Sequence, residues 1–384
     1  MRNVYNLSIR AWLLSLLCLL VGGRAVANEP QHPKPTTDHI TVNEVTLVPG
    51  STDTYQVEIS LVGSQIYTAF QMDIVFPPGV EPVLMRDVYV KLFNTDDNDL
   101  CSSSHTIGVS YGAVKERTLR MSCFSAQNAP FYGKSGKLLY FKVKASPYLK
   151  PGDVVLKVTN FDLITNENAI TKENAQKYHC NDQTLTLHAK AESTVNLSVS
   201  GSSHYGTCVL PFAVSPLPDG VKAYSAKGLD DTGKLVVLSE VKQLVAYTPY
   251  ILYSTSGYTG SLKGTVDANK YGEVVSDGLL CGAIAPQKKS AGYVLQDLGE
   301  GAKFYAMDGV EFLIPEGKCW LEMPTAQASA PQYGIQIGTT TGITAPTTPA
   351  SAHGKIYTLD GKEVKTIQPG GIYVVNGKKV LKIK

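Results

Sequence analysis

The 384-residue sequence has almost no net charge, two tryptophans and no long pattern of helical spacing. Its 35 lysines and arginines are balanced by 33 acidic residues, so no field of one sign exists to hold nucleic acid or an anionic membrane. With 43% hydrophobic and 18% charged residues, the chain is too apolar for general disorder. The 34 glycines, 21 prolines and 21 tyrosines are typical of turns joining short strands. We therefore expect an all-β protein of two or three domains.

The sequence also lacks the short motifs of common enzymes. It has no G-x-S-x-G, no H-E-x-x-H and no Cys/His pairing with a family signature. Gly133-Lys134-Ser135 ends like a P-loop, but Asn128 stands where the first glycine belongs. Because the carboxylates of glycoside hydrolases usually come from distant strands, spacing leaves a glycan hydrolase open as an alternative. We expect a non-catalytic chain with no cofactor.

A possible calcium loop is incomplete. Asn94-x-Asp96-x-Asn98 offers three alternating oxygen ligands, but Asp99 replaces the required glycine and His105 the bidentate glutamate. We therefore expect a solvated acidic loop there and no metal site. The histidines are scattered, and most are expected on the surface or in loops: His32, His39, His105, His179, His188, His204 and His353.

The N-terminus has the order of a secretory signal peptide. Arg2 and Arg10 accompany an apolar run from Ala11 to Val21, and Ala25-Val26-Ala27 is a cleavage motif. At about 1.5 Å per residue, this run is too short for the ~30 Å hydrocarbon core of a bilayer. We expect export, cleavage between Ala27 and Asn28, and no transmembrane span in the mature chain.

Cleavage leaves an even number of cysteines in an oxidising compartment. They are Cys101, Cys123, Cys180, Cys208, Cys281 and Cys319. The sequence contains no C-x-x-C spacing, so nothing in it indicates a zinc site. Six cysteines allow fifteen pairings, so the sequence leaves both buried thiols and a few disulfides open.

After an extended, proline-rich lead-in at 28–39, alternating apolar residues predict a series of short strands over 40–190. These are Thr41–Val45, Tyr55–Leu61, Ile66–Phe76, Thr106–Tyr111, Thr118–Phe124, Lys137–Ala145, Val154–Val158 and Thr184–His188. Phe70, Met72, Ile74 and Phe76 would line one face and enter the core. Strands at this spacing favour a β-sandwich.

The segment from Tyr67 to Val80 (YTAFQMDIVFPPGV) resembles the opening strands of cohesin-like domains. Gly136 to Val143 (GKLLYFKV) and Pro151-Gly152-Asp153 follow in the order that such domains use. The resemblance covers 40–190 and implies a jelly-roll sandwich that binds a dockerin-like protein module or a carbohydrate.

A carbohydrate site usually has exposed aromatic rings. Trp320, within Cys319-Trp320-Leu321, has the setting of a buried strand. Tyrosines are the other candidates, but a tyrosine in a β-protein more often lies half-buried at the core edge. The four considered are Tyr253, Tyr258, Tyr271 and Tyr293. The ligand-binding residues therefore stay unknown.

Three segments follow the predicted sandwich. On the stretches Tyr205 to Phe212 (YGTCVLPF), Leu217 to Tyr224 (LPDGVKAY) and Ala246 to Leu252 (AYTPYIL), residues 191–325 resemble an all-β module common near the C-termini of exported Bacteroidota proteins. Residues 326–353 form a Thr-, Ala-, Ser- and Pro-rich linker. Residues 354–384 contain two predicted hairpins, with turns at Asp360-Gly361 and Asn376-Gly377, and resemble the sorting tails of type IX secretion. The alternative is that these hairpins complete the second domain's sheet.

The whole sequence indicates an exported, non-catalytic binding protein that is at the cell surface, associated with the outer membrane, or extracellular. Besides the glycan hydrolase, a purely structural surface or fimbrial component is the remaining alternative.

Overall fold

The computed structural model describes residues 33–96, 99–113, 115–166, 175–324, 328 and 330–338, and the strands at 356–358, 363–364, 372–375 and 378–381. These residues form strands and no α-helix, so the all-β prediction is confirmed. Within this part of the chain, no helix is long and apolar enough to cross a membrane. The chain divides into two units, Met1–Gly338 and Thr339–Lys384. The predicted cleavage site at Ala27 and Asn28 lies outside the described residues.

The first half of the larger unit is a β-sandwich of two sheets. Its strands are β1 (Lys34–Thr36), β2 (His39–Val42), β3 (Thr46–Leu47), β4 (Tyr55–Val62), β5 (Ala69–Val75), β6 (Val80–Val83), β7 (Val90–Leu92), β8 (His105–Tyr111), β9 (Thr118–Ser125), β10 (Ser135–Ala145), β11 (Gly152–Asn166), β12 (Ala175–Cys180) and β13 (Gln183–Ala189). The eight-stranded sheet has the order β1-β12-β11-β5-β9-β8, with β13 beside β11 and β3 beside β13. The five-stranded sheet has the order β2-β4-β10-β6, with β7 beside β10.

The core of the sandwich follows from the alternation of its strands. Phe70, Met72, Ile74 and Phe76 are each at most 1% exposed, which confirms that they share one buried face. They belong to one cluster with the inward side chains of β4 and β10, such as Phe141. Because each buried side chain of this size stabilises the fold by about 1.5–3 kcal/mol, this alternation fixes which face of each strand is inside.

Some strands differ from the sequence expectation. β6 and β7 were not predicted, since they are too short to show alternation and β6 contains Pro82. β11 runs well beyond the predicted Val154–Val158, through an irregularity in its pairing with β5 between Thr159 and Asp162. Part of the lead-in is strand β1, which pairs in parallel with β12.

The second half of the larger unit, here called the second region, is also built of strands. These are β14 (Glu192–Val199), β15 (Tyr205–Cys208), β16 (Lys222–Leu229), β17 (Leu235–Val241), β18 (Tyr250–Tyr253), β19 (Tyr258–Thr265), β20 (Val274–Asp277), β21 (Leu280–Ala283), β22 (Gln287–Lys289), β23 (Tyr293–Asp297), β24 (Ala302–Ala306), β25 (Phe312–Ile314), β26 (Cys319–Leu321) and β27 (Gln332–Ile337). Ten of them form one sheet in the order β15-β18-β16-β17-β27-β24-β23-β26-β21-β20. β14 pairs with β19, and β22 pairs with β25.

Hydrogen bonds join the sandwich to the second region. The Tyr148 hydroxyl, from the loop between β10 and β11, donates to the Val209 carbonyl at 2.5 Å. Tyr148 is 1% exposed and belongs to the core cluster of the second region. The Ser193 hydroxyl donates to the Pro147 carbonyl at 2.7 Å, at the start of β14. The loop at Pro147 and Tyr148 therefore anchors one half of the unit to the other.

The smaller unit contains a four-stranded sheet. Its strands are β28 (Ile356–Thr358), β29 (Glu363–Val364), β30 (Ile372–Val375) and β31 (Lys378–Leu381), in the order β29-β28-β30-β31. β28 pairs antiparallel with β29, and β30 with β31, as two hairpins would. The turn residues Asp360-Gly361 and Asn376-Gly377 lie outside the described part of the chain.

Candidate functional site

The solvent-facing surface of the eight-stranded sheet, here called the outer face, carries a set of charged and polar side chains. They alternate with the core residues along each strand, as the pleat of a sheet requires. The members used below are Gln71 and Asp73 on β5, Thr106 on β8, Arg120 and Phe124 on β9, Asp162 on β11, and Lys177 and His179 on β12.

Asp73 is the buried acceptor of the first group on this face. Arg120 donates to both of its carboxylate oxygens at 2.7 Å, through Nε and Nη2, and Asn160 Nδ2 donates at 2.7 Å. Burial raises the pKa of Asp73, but the hydrogen bonds from Arg120 and Asn160 outweigh it and hold that pKa below its usual range. The carboxylate is therefore ionised, and its bidentate contact fixes the guanidinium plane.

Asp162 is the centre of a second group, in register with Gln71 on the neighbouring strand. Gln71 Nε2 donates to Asp162 at 2.6 Å, Lys177 Nζ lies 2.8 Å from the same oxygen, and His179 Nδ1 lies 2.7 Å from the other oxygen. Burial raises the pKa of Asp162, but the hydrogen bonds from Lys177, His179 and Gln71 outweigh burial and hold that pKa below its usual range. This carboxylate is also ionised, and both of its oxygens have hydrogen-bond or ion-pair partners.

Neither carboxylate is suited to donate a proton. A general acid in glycoside hydrolysis needs a raised pKa, whereas Asp73 and Asp162 have lowered ones. Their cations are different, because the side chains of Arg120 and Lys177 are 45% and 42% exposed. The outer face thus presents oriented donors to solvent and keeps their counter-charges beneath them.

Phe124 adds an exposed apolar side chain to the same face of the sheet. Its side chain is 50% exposed, and it pairs across the ladder with Thr106 on the edge strand β8. Among the described residues of the outer face it is the one exposed Phe, Tyr or Trp side chain. A single ring suits an anchoring contact with a partner better than an extended stacking platform.

The aromatic candidates of the second region are not arranged as a platform. Trp320 is fully buried in β26, so the prediction of a buried strand is confirmed. Its Nε1 donates to Glu322 at 2.9 Å, and Lys289 Nζ lies 4.6 Å from its ring centroid. Tyr293 is 3% exposed, and the other three tyrosines are partly buried: Tyr253, Tyr258 and Tyr271.

The incomplete calcium and phosphate motifs have structural roles. The Asp99 carboxylate is buried and accepts from the backbone N–H groups of Thr95 and Asp96 at 2.7 and 2.8 Å, so it caps its own loop. Asn98 lies outside the described residues. Lys134 and Ser135 lead into strand β10, and no helix follows as phosphate binding would require. Among the described residues, no cluster of three His, Cys, Asp or Glu side chains is placed to hold a metal.

His105 is an exception to the expected surface histidines. It is 3% exposed on β8, and its Nδ1 lies 2.9 Å from the Ser102 hydroxyl and 3.0 Å from the Ser102 backbone N. Its Nε2 lies 3.3 Å from the Thr68 carbonyl. Burial lowers the pKa of His105, which makes it a neutral, hydrogen-bonded core residue.

A small cavity lies where the sandwich meets the second region, here called the junction cavity. It has a volume of about 240 Å³, and its lining includes Glu81, Lys144, Tyr271 and Glu316. Burial raises the pKa of Glu316 to about 7, although Ser146 Oγ donates to it at 2.8 Å. Lys144 lies 3.6 Å from the Glu81 carboxylate. An acid–base group in catalysis needs a pKa near neutrality, and Glu316 has one.

No family model matches the sequence, and no curated protein matches it. Solved cohesin domains are similar to part of the chain. A non-cellulosomal cohesin from Archaeoglobus fulgidus has 11% identity and a TM-score of 0.27, covering 40% of this chain and 91% of its own. The cohesin CaCohA2 from Clostridium acetobutylicum has 18% identity and a TM-score of 0.30, covering 41% and 94%. The cohesin–dockerin complex Coh-OlpA-Doc918 from Clostridium thermocellum has 16% identity and a TM-score of 0.30, covering 40% and 100%. Similarity at these TM-scores establishes neither a partner nor an activity.

Proposed function

We propose that the chain is an exported, non-catalytic binding protein of the cell surface, and that its sandwich holds a partner protein on the outer face. The observation that carries this proposal is that exposed, ion-paired Arg120 and Lys177 share one face of one sheet with the exposed ring of Phe124. Arginine and aromatic side chains are the residues most enriched at the energetic centres of protein interfaces.

Protein binding suits this face better than glycan binding. A pyranose site built on stacking needs rings set to cover the sugar faces, and Phe124 is the one exposed Phe, Tyr or Trp among the described residues of the outer face. The fixed donors of Arg120 and Lys177 instead suit carboxylates or carbonyls on a protein surface. Carbohydrate binding is the second outcome that the experiment must distinguish.

The sequence resemblance over 40–190 determines which class of partner should be tested first. Cohesin-like domains bind dockerin modules, so a dockerin-like module is the proposed class of partner. The likeness lies in strand patterns and includes no interface residue, which is why the outer face itself must be tested by substitution.

Export and surface delivery belong to the same proposal. Residues 1–27 support export, and N-terminal sequencing of the exported protein should give Asn28. Residues 354–384 support delivery to the surface, because two hairpins of about thirty residues bury too little apolar area for a large core of their own. Truncation after Ala352 should leave the melting temperature of the rest unchanged and abolish surface delivery in the host. A melting temperature several degrees lower would support sheet completion instead.

One observation favours acid–base chemistry as a second candidate. Burial raises the pKa of Glu316 to about 7, so it exchanges its proton near neutral pH, and it shares the junction cavity with Glu81. Wild-type protein should release no reducing sugar from a polysaccharide panel if the binding proposal is right. Release that is lost in Glu316→Gln would establish a hydrolase.

The binding proposal is tested with the mature full chain, residues 28–384. The immobilised protein is probed in parallel with purified dockerin modules and with a glycan array. Saturable binding to a protein module, with no glycan signal, is the expected result. Binding to glycans alone would replace the protein partner by a carbohydrate, and self-polymerisation without either ligand would favour a structural component.

A further inference from the structure

The loop before β8 and the end of β9 are held side by side. His105 pairs with Ser125 at the start of the β8–β9 ladder, and the Ser104 and Ser125 hydroxyls are 2.9 Å apart. Cys101 lies in this loop, and Cys123 lies on β9, where it pairs with Ile107. Two chain segments that are already hydrogen-bonded therefore carry one cysteine each.

Cys101 and Cys123 are buried free thiols that are hydrogen-bonded to each other in the core. Cys101 is fully buried and Cys123 is 1% exposed, in the same apolar cluster of the sandwich. The Cys101 thiol also contacts the Leu138 carbonyl of the opposite sheet at 3.8 Å. The hydrogen bond between the two thiols and their burial raise the pKa of Cys123 far above its usual range. Because only a thiolate attacks a disulfide, any oxidation of this pair must occur before the core closes.

We propose that Cys101 and Cys123 are joined by a disulfide that forms while the exported chain folds. Both thiols lose their protons and one sulfur–sulfur bond forms. The two electrons reduce the active-site disulfide of a thiol–disulfide oxidoreductase to two thiols. The claim that the chain meets an oxidising compartment depends on the proposed export, whereas the choice of Cys101 and Cys123 as partners depends on the contacts described above.

The consequence is a covalent clamp under the outer face. The bond encloses 21 residues, from Ser102 to Ser122, which include all of β8. Closing a loop of this length restricts the unfolded chain and stabilises the fold. The clamp fixes edge strand β8 to β9, which carries Arg120 and Phe124.

The other described cysteines have different surroundings. The Cys319 thiol contacts the carbonyl oxygens of Cys208 and Tyr250 at 3.3 and 3.9 Å. Burial and the acidic neighbours Asp38 and Asp162 raise the pKa of Cys180 to about 12. Burial and the neighbouring Glu322 raise the pKa of Cys281 to about 12 as well. Cys180 and Cys281 therefore serve as internal controls that should stay reduced.

The experiment is non-reducing peptide mapping of the full mature chain. The protein is refolded in a glutathione redox buffer, unfolded without reductant in iodoacetamide, and digested with trypsin. Cleavage at Lys115, Arg117 and Arg120 separates the two cysteines, so a linked pair appears as peptides 92–115 and 121–134 joined. We expect this species, its loss after reduction, and alkylation of Cys180 and Cys281.

Alkylation of both Cys101 and Cys123, or a bond from either to another cysteine, would overturn the pairing. The same mapping on host-made protein, with cell fractionation, tests export separately. A linked pair after refolding combined with cytoplasmic location would overturn export and leave the pairing standing. As a second measurement, reduction should lower the melting temperature of the linked protein by several degrees. It should leave the melting temperature of the Cys101→Ser/Cys123→Ser double variant unchanged, and equal responses of the two proteins would contradict the clamp.

Discussion

Arg120 and Asp73 face each other in register on β9 and β5, and the guanidinium donates two hydrogen bonds of 2.7 Å to the carboxylate. The two partners differ in exposure, since the Arg120 side chain is 45% exposed and that of Asp73 is 6% exposed. The pair therefore joins a buried acceptor to a donor that solvent or a partner reaches. It both stabilises the sheet and shapes the outer face.

Arg120→Ala should destabilise the sandwich, because it leaves the buried carboxylate of Asp73 with Asn160 but without its cation. We expect a loss of about 1–3 kcal/mol in the free energy of unfolding at pH 7, measured by urea denaturation. The pKa of Asp73 is lowered from 3.8 in the folded state, so this stabilisation is present above that value and is lost as the pH falls. The difference between the two proteins should therefore shrink below pH 3.8.

Lys137→Ala is the matched control for this variant. Lys137 lies 3.1 Å from Glu58 on the other sheet, and both side chains are more exposed, at 50% and 25%. Exposed pairs contribute about 0–1 kcal/mol, so the control should lose less than Arg120→Ala does. Equal losses in the free energy of unfolding would show that the Arg120–Asp73 contact stabilises the fold no more than an exposed ion pair does.

Tyr148→Phe tests the attachment of the sandwich to the second region. It removes the buried hydroxyl that donates to the Val209 carbonyl at 2.5 Å, and it leaves the ring in place. We expect a loss of about 1–3 kcal/mol in calorimetric or denaturant unfolding, since the Val209 carbonyl loses its donor. Tyr132→Phe is the control, because Tyr132 is 68% exposed and should tolerate the change. A Tyr148 variant as stable as the control would mean that this bond does not hold the halves together.

Glu316→Gln should change how stability depends on pH. Burial raises the pKa of Glu316 from 4.5 to about 7, so the folded protein keeps a proton that the unfolded chain has lost. Its contribution is full below pH 4.5 and is lost as the pH rises through about 7. The wild-type melting temperature should therefore fall between pH 5 and 8 by more than that of Glu316→Gln. Glu311→Gln, at an exposed ion pair with Lys288, should keep the wild-type slope. If Glu316→Gln keeps that slope too, Glu316 does not titrate in this range.

The core could be predicted from the sequence because burial has a local signature. Alternation from Phe70 to Phe76 identifies one buried face of one strand without reference to any other part of the chain. The short strands β6 and β7 have no such signature, and their pairing with β10 decides their conformation. The extended conformation of β6 and β7 therefore depends on tertiary pairing with β10 and is not encoded in their local sequence pattern.

The candidate site could not be predicted because its partners are far apart in sequence. Asp73 and Arg120 are separated by 47 positions, and Gln71 and Asp162 by 91. Only the register of β5 with β9 and β11 brings them together. The available signal was the occurrence of charged residues at outward positions of strongly apolar strands, but their pairing required the sheet order.

The most direct test of the account compares Thr106→Arg with Thr41→Arg as baits for partner capture. Both threonines are exposed on edge strands, but Thr106 is on the outer face beside Phe124 and Thr41 is on the five-stranded sheet. The wild-type mature chain and both variants, each checked for an unchanged melting temperature, are incubated with host cell-surface extract and bound proteins are quantified by mass spectrometry. The account predicts a partner that wild type and Thr41→Arg retain equally and that Thr106→Arg loses by at least about tenfold, which corresponds to about 1.4 kcal/mol, since a long side chain beside Phe124 keeps a partner from closing on that ring. Identical capture by all three proteins, or loss in Thr41→Arg alone, would contradict binding through the outer face.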